Sequence, residues 1–190
     1  MQVVIINGSG THGKDEFIKM VTQFAYKALR VLNWSSVDAP KLAALMLGVS
    51  ISDKSDPARN LHSDIKDAWI KHSNGPTKAG LEYLLTLHES GDCKNVVVFM
   101  HIREPEEIRK MIGAAATVST VKTLLIHRMG GLIPVCVKDH PDVVTKFVYH
   151  KVIYNSTLED MEGQAESYTA RLIEQAKLWK GDTHAQSSSD

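Results

Sequence analysis

Gln2-Val3-Val4-Ile5-Ile6-Asn7 runs into Gly8-Ser9-Gly10-Thr11-His12-Gly13-Lys14-Asp15, and this junction decides the fold. The first six residues are a short β-branched run of strand length. The next eight follow the spacing G-x-x-x-x-G-K of a phosphate-binding loop, with Asp15 where Ser or Thr usually follows the lysine. A periodic helical pattern, Asp15 to about Arg30, leads away. Strand, glycine loop and helix in that order let backbone N–H groups turn inward around a phosphate chain. The helix N-terminus adds partial positive charge there, and Lys14 can reach the terminal phosphates. Gly8, Gly10, Thr11, His12, Gly13, Lys14 and Asp15 are the expected nucleotide-binding residues.

The rest of the chain repeats that alternation. Val31–Val37 reads as a second strand ending at Asp38. Helical patterns follow at Pro40–Leu47, Pro57–His72 and Pro76–Glu89, and Pro is favoured at a first helical position. Asn95–Ile102 is apolar without alternation, the signature of a parallel strand covered on both faces. Pro105–Ala115 reads as a helix, Val121–His127 and Tyr149–Tyr154 as strands, and Thr157 to about Trp179 as a long closing helix. Strands alternating with helices imply right-handed βαβ units and an α/β fold with a parallel sheet. The expected organisation is one domain over 1–180, with a helical insert at about 51–90, an irregular flap at 129–146 and a disordered tail at 181–190.

The 190 residues are 43% hydrophobic and 23% charged, ordinary for a globular protein. Lys plus Arg equals Asp plus Glu, 22 of each. That balance disfavours an obligatory polyanion partner, because duplex binding draws on many cationic contacts. Cys93 and Cys136 match no metal spacing. No apolar run reaches the length of a membrane span, and a soluble cytoplasmic protein is expected.

Polar residues at the carboxyl ends of the strands are the remaining candidates, since an open α/β sheet binds ligands there. Asp38 follows the second strand, where a carboxylate can orient an acceptor or take its proton; it would equally serve as an N-cap. Arg103, in His101-Ile102-Arg103-Glu104, emerges after the third strand, where a guanidinium can grip a phosphate with two parallel hydrogen bonds. His101 reads as a polar residue ending a core strand. Arg128 follows the fourth strand and can meet a transferring phosphate or stack on a base. Asp15 and Glu104 are the candidate Mg²⁺ ligands, since that ion takes oxygen ligands and keeps several waters.

The glycine loop, Ser35-Ser36-Val37-Asp38, the segment from Val97 to Ile108, and a fourth strand ending in His127-Arg128 together resemble the small P-loop kinases. They are similar to nucleoside monophosphate kinases and, more closely, to bacteriophage deoxynucleoside monophosphate kinases and bacterial relatives with a GKD loop. The resemblance runs in order over about residues 2–175. It implies the three-layer P-loop NTPase fold with a five-stranded parallel sheet and helices on both faces, ATP as donor, Mg²⁺, and a flap closing over the phosphates. It further implies Lys14 for the donor phosphates, Asp38 for the acceptor, Arg103 for the acceptor phosphate, and a place in nucleotide metabolism (in the host cytoplasm if phage-encoded).

Three departures stand beside it: Asp15 after the lysine, no acidic residue ending the third strand, and a flap poor in arginine. The last would also be met by residues supplied from a second subunit in a homodimer. Besides a kinase acting on a (deoxy)nucleoside monophosphate, two readings stay open. One is a P-loop kinase acting on a hydroxymethylated base in DNA, such as hydroxymethyluracil, for which Lys54, Arg59, Lys66 and Lys71 would provide a basic face. The other is a nucleotide-binding regulatory protein with little catalysis.

Overall fold

The computed structural model describes residues 1–9, 12–53, 55–91, 93–129 and 146–185, with side chains described as far as 178. Five strands form one parallel sheet in the order β2-β3-β1-β4-β5: β1 (Gln2–Asn7), β2 (Arg30–Ser35), β3 (Val96–His101), β4 (Thr120–Arg128) and β5 (Lys151–Asn155). β1 lies at the centre, bonded to β3 on one side and β4 on the other. All six of its residues are buried. Helices α1 (Lys14–Phe24), α2 (Asp38–Met46), α3 (Asp56–Ser73), α4 (Gly75–Glu89), α5 (Pro105–Ala115) and α6 (Leu158–Ala185) make the crossovers and the closing element. This is the three-layer P-loop NTPase fold.

Two apolar cores explain why the central strands read as continuous hydrophobic runs. Successive strand side chains point to opposite faces. Val4 and Ile6 therefore join Val97, Phe99, Leu124 and Ile126 beneath α1 and α6. Val3 and Ile5 join Val98 and Met100 beneath α4 and α5, packed on Leu84, Ile108 and Met111. Because every strand is parallel, Asn7, Ser35, His101, Arg128 and Asn155 all end at the same edge.

Several boundaries differ from the sequence expectation. α1 ends at Phe24, not near Arg30: Ala25 caps it by donating to the Val21 carbonyl, and Lys27 turns the chain back at φ 63°. α2 begins at Asp38 itself with Val37 as its N-cap, two residues ahead of Pro40, so Asp38 is a first-turn residue and not a cap. The chain at 181–185, expected as disordered tail, continues α6 to Ala185. One glycine costs a helix only about 1 kcal/mol, and no proline interrupts the run. Residues 186–190 lie outside the described residues, as does most of the expected flap, 130–145. Among the described residues no helix is long and apolar enough to cross a membrane.

Phe99 is fully buried at the middle of the sheet, whereas Met46 at the end of α2 is 89% exposed. Phe99→Ala is expected to cost about 3–5 kcal/mol and Met46→Ala less than about 0.5 kcal/mol, measured by urea unfolding.

Candidate functional site

Asn7, the last residue of β1, is 1% exposed and uses both ends of its amide. Its Oδ1 accepts from the Gly8 N–H at 2.7 Å, while Nδ2 donates to the Arg103 carbonyl at 2.9 Å and the Tyr149 hydroxyl oxygen at 2.7 Å. Burial pushes the Tyr149 phenol up to about 12, so it stays protonated. The phosphate loop thus leaves the sheet from a point fastened to the segment after β3 and to the segment before β5.

The two described glycines of the loop are there for steric reasons. A Cβ on Gly8 would stand 2.5 Å from the Ile126 carbonyl oxygen. Gly13 adopts φ 86°, left-handed backbone that favours glycine, and a Cβ there would run into the Met161 methyl. Gly13 is the N-cap of α1 and supplies no side-chain cap, so the first-turn N–H groups are presented to the loop without one. Lys14 curls back over the loop: Nζ donates to the Gly8 carbonyl at 2.5 Å and the Ser9 carbonyl at 3.1 Å. Burial, and after it the Arg103 guanidinium, pull Lys14 down to about 8, with Asp15 acting in the opposite direction. Burial and the neighbouring cation outweigh Asp15 at this ammonium, the condition a bound polyphosphate relieves.

On the β4–β5 side, an open cavity of about 210 Å³ is lined by His12, Gly13, Arg128, Asn155 and Met161 among others. His12 is 4% exposed; its Nδ1 accepts weakly from the Arg128 N–H at 3.4 Å, and its ring stands edge-on to His127 at 5.3 Å. Burial, then the neighbouring His127, hold His12 below the ordinary imidazole range and so neutral. Asn155 is 1% exposed, donates through Nδ2 to the His12 carbonyl at 3.5 Å, and leaves Oδ1 buried without a hydrogen-bond partner among the described residues. Such an orphaned acceptor costs about 1–3 kcal/mol unless something meets it.

On the β2–β3 side, His101 is the meeting point. Its carbonyl accepts from the Ser36 N–H at 3.2 Å, tying the end of β3 to the turn before α2. Burial lowers its pKa most; Asp15 and Asp38 pull upward, Lys14 and Lys41 downward. Asp38 is exposed, with the Lys41 ammonium 4.0 Å away. Glu104, at the N-cap position of α5, accepts a hydrogen bond from Lys66 of α3 at 2.5 Å.

The structure therefore gathers Lys14, Asp15, Asp38 and Lys41 around His101, with Arg103 beside Lys14, and sets Arg128 at the cavity on the opposite side of the loop. Gly10 and Thr11 lie outside the described residues. Asp15 stands beside Lys14, whereas the Glu104 carboxylate is already engaged by Lys66. Among the described residues no group of three or more His, Cys, Asp or Glu could hold a metal ion. An ion held mainly by phosphate oxygens and water needs fewer protein ligands, and one carboxylate such as Asp15 suits Mg²⁺ bound in that way. Sequence reasoning missed Asn7 and Asn155, and it set Lys66 on a basic surface where the structure buries it. For Asn7 and Asn155 the signal was present, a polar residue closing an apolar strand.

No family model matches the chain, and no curated protein matches it. Solved structures with a similar layout include an APS kinase CysC variant of Mycobacterium tuberculosis, 11% identical over 91% of this chain and 96% of that one, TM-score 0.49. A sugar kinase from Janibacter sp. HTCC2649 is 12% identical over 95% of each chain, TM-score 0.43. A de novo designed protein with the P-loop NTPase fold is 14% identical over 90% of this chain and 94% of that one, TM-score 0.40. The fold stated above stands on strand order and loop geometry, without them.

Lys14 loses its proton near pH 8 in the unliganded protein, and a polyphosphate beside it would restore that proton. Inorganic tripolyphosphate is expected to bind with proton uptake near pH 8 and with falling affinity above it. Lys14→Met should abolish both effects, as read by calorimetry in buffers of different ionisation enthalpy.

Proposed function

We propose that this protein is an ATP-dependent phosphotransferase whose acceptor is a nucleoside monophosphate, most simply a deoxynucleoside monophosphate. The observation that carries the reading is the Lys14 ammonium, folded onto the Gly8 and Ser9 carbonyls at the uncapped start of α1 and close enough to Arg103 to be depressed by it. One cation at the phosphate loop and another a strand away suit two phosphate-bearing ligands meeting end to end. Phosphoryl transfer asks the protein mainly for positioning and charge neutralisation.

In this reading the donor triphosphate follows the loop from Gly8 to Lys14, and Lys14 exchanges its two carbonyl partners for phosphate oxygens. The adenine enters the cavity beside Arg128, where the guanidinium can cover the ring. The buried Oδ1 of Asn155 is an acceptor suited to an exocyclic amine. Mg²⁺, held by the phosphates with Asp15, supplies further charge neutralisation when bound. Arg103 takes the acceptor phosphate, and Asp38 orients the acceptor sugar. An oxygen of the acceptor phosphate attacks the γ-phosphorus as the bond to the β–γ bridging oxygen breaks, and ADP departs with that electron pair.

A DNA acceptor draws less support. Of the four basic residues that would build its face, Lys54 lies outside the described residues, Arg59 and Lys71 are exposed, and Lys66 is 4% exposed and paired with Glu104. A buried, neutralised lysine contributes little to duplex binding.

The test is a product screen with γ-labelled ATP and Mg²⁺ against every ribo- and deoxynucleoside monophosphate, with plain and hydroxymethyluracil-containing DNA alongside. Label is expected on a monophosphate, and label on DNA alone would overturn the proposal. Lys14→Ala is expected to lower kcat by about two to three orders of magnitude with the urea midpoint retained. Arg103→Ala is expected to act chiefly through the acceptor, raising its KM about tenfold or more, with ATP binding little changed.

A further inference from the structure

Lys66 is an unusual residue for the middle of an amphipathic helix. It is 4% exposed, and the carboxylate that neutralises it belongs to Glu104, on another element 38 residues away. The two partners are unequal. Lys66 is anchored in α3 and buried, whereas the Glu104 side chain is 42% exposed at the head of α5. A half-exposed carboxylate can rotate into water at little cost, but a buried ammonium must keep an anion beside it. The exchangeable member of the pair is therefore Glu104.

The position of the pair gives that asymmetry a use. Glu104 directly follows Arg103, at the carboxyl edge where ligands of an open α/β sheet bind. It is the N-cap residue of α5 yet makes no side-chain cap, so the first turn of that eleven-residue helix is left without one. The acidic residues of that turn are answered elsewhere, Glu106 by Arg109 at 3.3 Å and Glu107 by Lys110 at 2.9 Å. One turn before Lys66, and so on the same face of α3, His62 is 9% exposed and its Nε2 is buried without a hydrogen-bond partner among the described residues. A buried ammonium, an uncapped helix start and, on the same face of α3, an imidazole nitrogen suit an anion of higher charge than one carboxylate, and Arg103 directly precedes the glutamate that anion would replace.

We propose that Lys66 is a second ligand of the acceptor's phosphate, and that Glu104 is an internal anion occupying Lys66 until that phosphate displaces it. The inference rests on the phosphotransferase reading and deepens it by specifying the acceptor end as a phosphate dianion. A dianion outcompetes a monoanion for the Lys66 ammonium, while a neutral nucleoside has nothing with which to displace Glu104. The exchange would also let α3 and the head of α5 sense an occupied site, because the carboxylate that joins them is released on binding.

The experiment is calorimetric titration of deoxynucleoside 5′-monophosphates, and of the parent nucleosides, into the full chain without ATP. Lys66→Met is expected to weaken monophosphate binding at least tenfold. Glu104→Gln is expected to tighten it, because the competing charge is gone, and nucleoside binding should respond to neither change. A pair that only holds the fold together would give weaker binding in both variants, and that result overturns the proposal. So does a Lys66→Met affinity within twofold of wild type, or a wild type that binds no monophosphate. Glu104→Gln keeps the test decisive should Lys66→Met fail to fold. Transfer from ATP by the wild type is scored separately. Transfer with both variants unchanged in affinity removes this inference and leaves the kinase, whereas the opposed response of the variants without transfer leaves the phosphate site and removes the kinase.

Discussion

The Asn7 side chain is the constraint on which the rest of the site depends. A carboxamide is the group that can accept from the Gly8 N–H while donating twice, to the Arg103 carbonyl and the Tyr149 hydroxyl. An aspartate could not donate and a leucine could do neither. At 1% exposure, each group left without a partner would cost about 1–3 kcal/mol. Because β1 is the central strand, this single amide fixes where the phosphate loop begins relative to the arginine across the crevice. Loop and arginine are held in register by one buried side chain, so the spacing of any two ligands between them is set before either arrives.

A net charge of zero conceals how the charge is distributed. Lys14 and Arg103 stand close enough for one to depress the other, and the buried Lys66 is balanced by Glu104, the residue that follows Arg103. In the unliganded protein carbonyl oxygens hold Lys14 and a carboxylate holds Lys66. A neutral carbonyl and a monoanionic carboxylate each carry less negative charge than a phosphate dianion. Preorganised positive charge of this kind does its work where negative charge develops, and it requires no rearrangement of the scaffold at that moment.

Much of this was legible in the sequence, and the illegible parts have a common cause. β1, β3 and the glycine loop could be read because a parallel strand covered on both faces is apolar at every position, and because the loop's spacing is a steric requirement. The early end of α1 could not, because Ala25-Tyr26-Lys27-Ala28 keeps helical letters and the reversal is made by a lysine in left-handed backbone. Asp38 looked like a cap because its chemistry suits one, but the helix starts at Asp38 itself. Lys66 looked like a surface lysine on a periodic helix; its burial depends on a glutamate that only the folded chain brings near. Periodicity says which face of an element is covered, and it is silent on which polar residue is covered with it.

The central claim is that a donor and an acceptor phosphate meet between Lys14 and Arg103. Its most direct test is the affinity of dinucleoside pentaphosphates with adenosine at one end and each deoxynucleoside in turn at the other. If the two sites face one another across the Asn7 junction, one of these compounds should bind about a hundredfold or more tighter than ATP, as linked ligands do when both ends engage. Arg103→Ala should then remove the excess affinity and leave the ATP component. Binding no tighter than ATP for every compound, or an excess indifferent to Arg103→Ala, would contradict the facing arrangement.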